Sequence, residues 1–324
     1  MTSGDVTALL PLIALAGTAV LLIAVIALGR NAWVTIVLTV AGAIAALCML
    51  AINHSVLPHA IGNLLVMDGF AWYYTGLLVL SALIVALFAY NYFATVPGTH
   101  DEFYVLLMLA TLGAATLTAS THFASFFLGL EILSASLYGL VAYRRDRHVG
   151  IEAGIKYLIL AGISSAILLF GMALVYADAG TMSLPAFATS LEGHLRHSIM
   201  ALTGISMILV GIGFKLALPP FHLWTPDVYQ GAPAPATAFI ATVSKASVFA
   251  LLLRYALTLE PTASPFFLAL TLLAILAMFV GNLSALLQAN LNGCSHTPPS
   301  HRWAICWSHC WRAVWRASAP QRSM

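Results

Sequence analysis

Four ionisable side chains lie within apolar stretches of this sequence, where a charged group is costly and marks a functional site by default. Glu131 is in FFLGLEILSASLYGL and Lys156 is in EAGIKYLIL, while Lys215 and Lys245 each have an apolar segment of their own. Burial disfavours the charged form of an acid or a lysine, whereas bringing the two together favours both charged forms. A small change in the distance between Glu131 and a lysine would therefore load or release a proton. The chemistry that fits is proton transfer.

Each group also has a simpler explanation. Lys156 begins its apolar stretch, so its ammonium could reach the polar interface while its stem stays in lipid, and the sequence leaves this snorkelling and a role in a site both open. Glu131, Lys215 and Lys245 lie deeper, which favours a buried partner or a functional role. His222 lies near the end of a span, and on spacing alone a satisfied interface histidine is its better explanation.

Two prolines interrupt the segment that carries Lys215. Pro219 has no N–H for the carbonyl of Lys215, and Pro220 likewise frees the carbonyl of Leu216. Free carbonyls at membrane depth are tolerated only where they face protein or a water-filled cavity. Discontinuous helices with ionisable groups are a feature of ion transporters. We expect a helix broken at the two prolines, with Lys215 and His222 facing a hydrated interior.

The composition is that of a polytopic membrane protein. Of the 324 residues, 61% are hydrophobic and 7% are charged, with a mean hydropathy of +0.96, whereas about 25% of the residues of a soluble domain are charged. Only Cys48 of the four cysteines precedes residue 290, so no disulfide framework is expected. No CxxC pair, haem motif or dinucleotide-binding motif appears, and no residue cluster suggests nucleic-acid binding. We therefore expect no redox centre in this chain.

Apolar stretches of about 20 residues are long enough to span a bilayer as helices. Nine candidates occur in this sequence: 7–29, 33–52, 72–93, 103–119, 121–143, 153–177, 199–223, 232–256 and 265–289. The expected fold is an all-α membrane helix bundle of about nine transmembrane helices, with the seventh broken. Loops rich in arginine and lysine lie on the inner side of the membrane, which sets the orientation of the spans. The cluster RRDRH at 144–148 would lie inside if the N-terminus is outside, so we expect that orientation. Arg30 would then also lie inside, and Arg196 and Arg254 outside.

Several stretches resemble a known family. They are PFHLWTPDVYQGAPAPATAF at 220–239, VSKAS around Lys245, LGLEILSASLYGLVAY at 128–143, EAGIKYLILAGISSAILLFG at 152–171 and GNLSALLQANL at 281–291. Over about residues 1–291 the chain resembles the antiporter-like subunit N (subunit 2) of proton-pumping NADH:quinone oxidoreductase, respiratory complex I. The YQGAP stretch distinguishes that subunit from the related L and M subunits and from cation/proton antiporter chains.

The resemblance implies a role for each candidate residue. Glu131 would be the fifth-helix glutamate, paired with Lys215, the lysine of the broken helix. Lys245 would be the central lysine of the eighth helix, and Lys156 the sixth-helix lysine near the pair. His222 would belong to a polar path along the centre of the membrane. Together these residues would carry protons.

The resemblance also implies an organisation of the whole chain. The family fold has fourteen helices with two inverted five-helix repeats. It divides this sequence into N-terminal helices 1–3 (1–102), the first antiporter-like repeat with the inward half-channel (103–256), the start of the second repeat (257–291) and a tail outside the family pattern (292–324). The subunit would hold no cofactor or metal, because other subunits handle NADH, FMN, iron-sulfur clusters and quinone. Its partners would be the other membrane-arm subunits and the lipid bilayer of the cell inner (plasma) membrane, with the N-terminus periplasmic.

The sequence changes character after Leu291. Residues 292–324 hold three of the four cysteines, four of the seven tryptophans and no acidic residue. Cys294-x-His296 and Cys306-x-x-His309-Cys310 do not match a usual zinc spacing. Trp and Cys codons begin with TG, and His codons begin with CA. If the reading frame shifts by one base, TG becomes the end of a codon for Leu and similar residues, and CA becomes the end of a codon for Ala and similar residues. We therefore expect a frameshifted tail, with the family's helices 10–14 and its proton exit absent.

Three functions follow from these observations. The first is a proton-translocating membrane-arm subunit of NADH:quinone oxidoreductase, coupled to electron transfer from NADH to quinone in other subunits. The second is a stand-alone cation/proton antiporter chain, against which the YQGAP stretch argues. The third is a non-functional truncated product that neither assembles nor pumps.

Overall fold

The structure is a computed structural model that describes residues 3–53, 57–146, 148–191, 198–256 and 265–286. Helices make up most of it: α1 Ser3–Leu28, α2 Ala32–Ile52, α3 Gly69–Phe93, α4 Asp101–Ala119, α5 Phe123–Val141, α6 His148–Ala179, α7 Leu184–Leu191, α8 Ile199–Leu216, α9 Thr225–Gly231, α10 Ala234–Phe239, α11 Lys245–Ala256 and α12 Pro265–Leu286. Two short strands, β1 His59–Ile61 and β2 Leu65–Met67, pair as an antiparallel hairpin in which Ala60 faces Val66.

Within the described residues, eight helices are long and apolar enough to cross a membrane. They are α1 to α6, α8, and the continuous run Ala234–Ala256 that contains α10 and α11. Helices are the expected solution in lipid, because they satisfy every backbone polar group within one segment. The ninth expected span coincides with α12, whose described apolar part is the shorter stretch Leu268–Gly281. The all-α multi-pass membrane fold is therefore confirmed, while the predicted tail 292–324 lies outside the described residues.

Polar caps determine where several of these helices begin. The side chain of Asn31 accepts a hydrogen bond from Trp33 N (3.0 Å) before α2, and Asp68 accepts one from Ala71 N (2.8 Å) before α3. His122 Nδ1 accepts one from Ala124 N (3.1 Å) at the start of α5. Such caps satisfy backbone donors that the first helical turn leaves free. His122 thus has a structural role at this helix end.

The β1–β2 hairpin holds the connection between α4 and α5, and nothing in our sequence analysis predicted it. Thr121 N donates to the carbonyl of Leu64 (3.0 Å), and Ser125 Oγ donates to the same carbonyl (2.6 Å). The short gap expected between the spans 103–119 and 121–143 is confirmed, because α4 ends at Ala119 and α5 begins at Phe123. These bonds fix the N-terminal end of α5. Glu131 lies two turns further along the same helix.

The chain forms two compact units. The first contains Met1–Ala161, Met182–Leu184 and Val228–Leu252; the second contains Gly162–Thr181, Pro185–Asp227 and the described part of Leu253–Met324. Helices α4 and α5 approach closely in the first unit, since a Cβ placed on Gly113 would lie 2.6 Å from the backbone nitrogen of Leu133. In the second unit, a Cβ on Gly171 would lie 2.6 Å from the carbonyl oxygen of Gly204. Small residues allow such backbone contacts between membrane helices.

Candidate functional site

The break after α8 begins earlier than the sequence predicted. We expected it at Pro219–Pro220, with a span over 199–223, but the helix ends at Leu216. Ala217 takes the left-handed conformation with φ 56° and ψ 44°. Ala217 N donates to the carbonyl of Phe214 (3.0 Å), and Leu218 N donates to that of Gly213 (2.8 Å). This pair of bonds is a Schellman motif, which ends the helix before the first proline is reached.

Lys215 is the penultimate residue of α8 and has only 3% of its surface exposed. The last turn of a helix carries a partial negative charge on its carbonyls, and this favours a cation placed there. The helix end thus offsets part of the cost of burying the ammonium. The structure confirms that Lys215 is buried beside a helix break.

Aromatic side chains close the turn that follows. The indole Nε1 of Trp224 donates to the carbonyl of Phe214 at 3.1 Å, and the rings of these two residues are 5.3 Å apart between centroids. Trp224 is buried. The carbonyl of Phe214 therefore accepts two hydrogen bonds, one from Ala217 N and one from Trp224 Nε1. Tertiary packing as well as proline maintains the break.

His222 lies in this turn, before α9. Its backbone carbonyl accepts a hydrogen bond from Thr225 N (3.0 Å), and its side chain is partly buried. The Nδ1 atom is buried and has no hydrogen-bond partner in the described part of the chain. A buried ring nitrogen without a partner is unusual, so the simple explanation of a satisfied interface histidine is not supported here.

Lys245 follows a π-helical turn that our sequence analysis missed. We expected one regular span over 232–256, but Ile240–Ser244 is π-helical and separates α10 from α11. Three of its five residues, in IATVS, are β-branched, and crowding at the β-carbon lowers helix propensity. These β-branched residues are a local signal from which an irregular helical turn could have been predicted. π-Helical turns inside α-helices occur frequently at functional sites.

The side chain of Lys245 is fully buried, with 0% of its surface exposed. Its Nζ atom has no hydrogen-bond partner among the described residues. Nζ lies 5.7 Å from the ring centroid of Tyr229, within the range of a cation–π interaction. Tyr229 is itself 5% exposed, and its hydroxyl has no partner in the described chain. The buried amino group of Lys245 therefore faces a buried phenol ring.

Glu131 lies on α5 beside two further tyrosines. Its Oε1 atom is buried and lacks a hydrogen-bond partner within the described residues. Its carboxyl interacts electrostatically with the hydroxyls of Tyr138 and Tyr157. The rings of those two tyrosines are 5.6 Å apart, and Tyr157 also interacts electrostatically with Tyr229. We call Tyr138, Tyr157 and Tyr229 the tyrosine cluster; sequence reasoning assigned it no role.

Lys156 points away from this interior. Its side chain is 46% exposed and forms an ion pair with Glu152, with Nζ 2.7 Å from Oε1. The neighbouring Tyr157 is the buried residue of this turn, with 1% of its surface exposed. The structure therefore places the Lys156 side chain outside the buried interior, on an exposed face of α6 beside Glu152.

The structure brings some of the predicted residues into one unit and not others. Glu131, Lys156 and Lys245 belong to the first unit, while Lys215 and His222 belong to the second. The predicted pair of Glu131 with Lys215 thus stays a prediction. Within the first unit, the tyrosine cluster has electrostatic or ring contacts with both Glu131 and Lys245.

Residues 120–293, more than half of the chain, match the family described as NADH:quinone oxidoreductase/Mrp antiporter, TM. The chain belongs to this family of membrane proteins. The matched region contains all five candidate residues. The family resemblance expected from the sequence is confirmed.

The similarity to a curated relative extends over nearly the full length of this chain. NADH-quinone oxidoreductase subunit N of Methylococcus capsulatus is 47% identical over 292 residues, which cover 90% of this chain and 59% of the relative. The chain therefore spans less than two thirds of the length of that relative. The expected similarity to subunit N is confirmed.

Solved structures share the fold. A chain of respiratory complex I from Thermus thermophilus with bound aureothin is 34% identical, with a TM-score of 0.76 over 93% of this chain and 64% of that one. A chain of the membrane-bound sulfane sulfur reductase, an archaeal respiratory membrane complex, is 26% identical, with a TM-score of 0.75 over 93% and 64%. A chain of the Mrp complex from Dietzia is 19% identical, with a TM-score of 0.77 over 94% and 58%, which shows the fold alone. The antiporter-like fold is confirmed.

Proposed function

We propose that the chain translocates protons across the membrane as a membrane-arm subunit of an NADH:quinone oxidoreductase. The observation that carries this proposal is the burial of two lysines, with Lys215 3% and Lys245 0% exposed, in a membrane protein similar to subunit N. A buried ammonium in a membrane helix is too costly to serve packing alone. Its protonation state is set by nearby charge, so it can change when that charge moves.

Four of the five candidate residues take a part in this function. Lys245, at the π-helical turn, is the group that gains and loses the transported proton. Lys215, in the last turn of α8, pairs with Glu131 and alters the charge around the pathway when the pair opens or closes. His222, with its unpartnered Nδ1, accepts protons within the broken segment. Lys156 stays at the membrane surface beside Glu152.

The rest of the assembly follows from the same proposal. The partners are the other membrane-arm subunits, and electron transfer from NADH to quinone takes place outside this chain, which holds no redox centre. The location is the cell inner membrane with the N-terminus periplasmic, because Arg144 and Arg145 then lie on the inside. A stand-alone antiporter has less support, since the relative that is 47% identical is named as a subunit N of NADH-quinone oxidoreductase.

The test uses the 324-residue chain expressed with the remaining subunits of the enzyme. The purified complex, reconstituted in liposomes, is assayed for NADH-driven proton uptake with Lys245→Ala and Lys215→Ala. We expect both variants to lose most proton uptake while they still co-purify with the complex. Arg30→Ala is the control, because Arg30 is an exposed residue whose side chain bonds Thr99 and Glu102. Absence of the chain from the complex, or normal uptake in both lysine variants, would contradict the proposal.

A further inference from the structure

Two buried tyrosines of the first unit interact with Glu131 or Lys245: Tyr157 electrostatically with Glu131, and Tyr229 through its ring with Lys245. We propose that the hydroxyls of Tyr157 and Tyr229 carry protons between the glutamate and the lysine. The inference rests on the function proposed above and adds two residues to its path. It is independent of how the two units are placed, because all four residues belong to the first unit.

Tyr229 supplies the end of the path next to the lysine. Its ring lies 5.7 Å from Lys245 Nζ, a contact that a phenylalanine would provide equally well. The cation–π contact involves only the ring, so it gives no reason for a hydroxyl at this position. The hydroxyl is buried and has no hydrogen-bond partner in the described chain, whereas buried hydroxyls in proteins are nearly always bonded. A water molecule, which can also deliver a proton, has the right size and chemistry to bond this atom.

Tyr157 supplies the connection to the acid. It lies on α6 with 1% of its surface exposed. Its hydroxyl interacts electrostatically with the carboxyl of Glu131 on one side and with the hydroxyl of Tyr229 on the other. Of the tyrosine cluster, Tyr157 is thus the residue that interacts with both the acid and the tyrosine that faces Lys245.

Tyr138, the remaining member of the tyrosine cluster, has a different position. It lies on α5 with Glu131 and is only half buried, and its hydroxyl takes part in a hydrogen bond with Ser134 one helical turn away. Its ring packs on that of Tyr157 at 5.6 Å. This arrangement supports the orientation of Tyr157 and needs no further role.

The step itself balances without any other reactant. A phenol oxygen both accepts and donates a hydrogen bond. An incoming proton forms a new O–H bond on the oxygen while the original O–H bond breaks and releases its proton to the next acceptor. Each tyrosine is neutral before and after the step, and no electron moves. Water molecules in the gaps can extend the same exchange from Glu131 to Tyr157, then to Tyr229 and Lys245.

The experiment measures the rate of NADH-driven proton uptake by the reconstituted complex that contains this chain. Tyr157→Phe and Tyr229→Phe remove the hydroxyls and keep the rings, so packing and the cation–π contact remain. We expect each to lower the rate of uptake by about a hundredfold, the lower end of the contribution of a positioned proton-transfer group. The uptake that remains should have a larger solvent deuterium isotope effect than that of the unmodified complex.

Tyr104→Phe is the matched control. Tyr104 is a buried tyrosine of the same unit, 2% exposed, and its electrostatic partners are Asp101 and Tyr90. We expect normal uptake and a normal isotope effect. An equal loss in Tyr104→Phe would overturn the inference, because it would show that removing any buried hydroxyl from this unit is enough.

Lys245→Ala separates failure of the inference from failure of the proposed function. If Lys245→Ala abolishes uptake while Tyr157→Phe and Tyr229→Phe pump normally, the tyrosine path is wrong and the proposed function stands. If Lys245→Ala and Lys215→Ala both pump normally, the proposed function itself is wrong. Should a phenylalanine variant fail to assemble, site-specific 3,5-difluorotyrosine at that position keeps the side chain nearly the same size and changes the acidity of its hydroxyl. An unchanged uptake rate with that residue would then overturn the inference.

Discussion

The ammonium of Lys245 lies 5.7 Å from the ring centroid of Tyr229, and neither Nζ nor the tyrosine hydroxyl has a hydrogen-bond partner among the described residues. Both side chains are buried. A cation–π contact is worth about 0.5–2 kcal/mol, which is less than the several kcal/mol needed to bury an ion. This site therefore costs stability, and the cost points to a functional reason for the lysine.

Lys245→Met tests that trade-off. Methionine has nearly the same length and no charge, so it should remove the cost of desolvation without leaving a cavity. We expect unfolding of the detergent-solubilised chain to become harder by about 1–3 kcal/mol, the range for removing an unsatisfied buried polar group, and proton uptake to be lost. Thermal unfolding and proton uptake are measured on the same preparation. A lower melting temperature would show that the lysine is stabilised by groups that the structure does not reveal.

The predicted pair of Glu131 and Lys215 is tested by a double-mutant cycle. Removing one partner of a buried ion pair costs about 3–5 kcal/mol, because the other charge is left uncompensated. We expect Glu131→Gln and Lys215→Met to destabilise the chain singly and the double variant to be less destabilised than their sum. Both single variants should also lose proton uptake. Additive effects on the free energy of unfolding, together with near-normal pumping, would exclude the pair.

Replacing Pro219 and Pro220 together with alanine tests the break itself. Alanine restores two backbone donors and favours helix, so it should compete with the Schellman motif at Ala217 and let α8 continue. We expect impaired proton uptake and a longer α8 in the variant's structure. If the helix still ends at Leu216 and transport is normal, the motif and the Trp224 bond to Phe214 maintain the break without the prolines.

Lys156→Ala tests whether Lys156 is an outward-facing residue with no role in transport or a member of the proton path. The ion pair with Glu152 is exposed, with side chains 46% and 64% accessible, and such helical pairs contribute only about 0.3–0.5 kcal/mol. We expect a change in stability of that size and proton uptake near that of the unmodified complex. A loss of uptake comparable with that of Lys245→Ala would place Lys156 in the proton path, as the family resemblance implies.

Gly113→Ala tests the close approach of α4 and α5 that positions Glu131. The added Cβ would lie 2.6 Å from the backbone nitrogen of Leu133, and overpacking of this kind costs about 1–3 kcal/mol. We expect a lower melting temperature and reduced proton uptake. Gly17→Ala is the control, because its Cβ would have no neighbour within 4 Å and alanine favours helix. Equal melting temperatures for the two variants would refute the close contact.

Some of this protein was determined by local sequence alone. Apolar stretches of about 20 residues predicted the spans, because in lipid the backbone must bond within its own segment. The four ionisable residues stood out for the same reason, and so did a break near the prolines. These properties depend on neighbours within one or two helical turns. A sequence displays such neighbours directly.

Tertiary structure decided the features that depend on distant neighbours. The end of α8 at Leu216 involves Trp224, the tyrosine cluster joins residues from α5, α6 and α9, and the outward direction of Lys156 depends on how α6 is rotated. In a soluble protein, the polar face of a helix would have revealed such rotations. Here lipid and protein interior are both apolar, so hydropathy does not indicate which face of a helix is buried. Contacts such as Gly113 against Leu133 set the rotation of each helix, and with it which side chains meet Glu131 and Lys245.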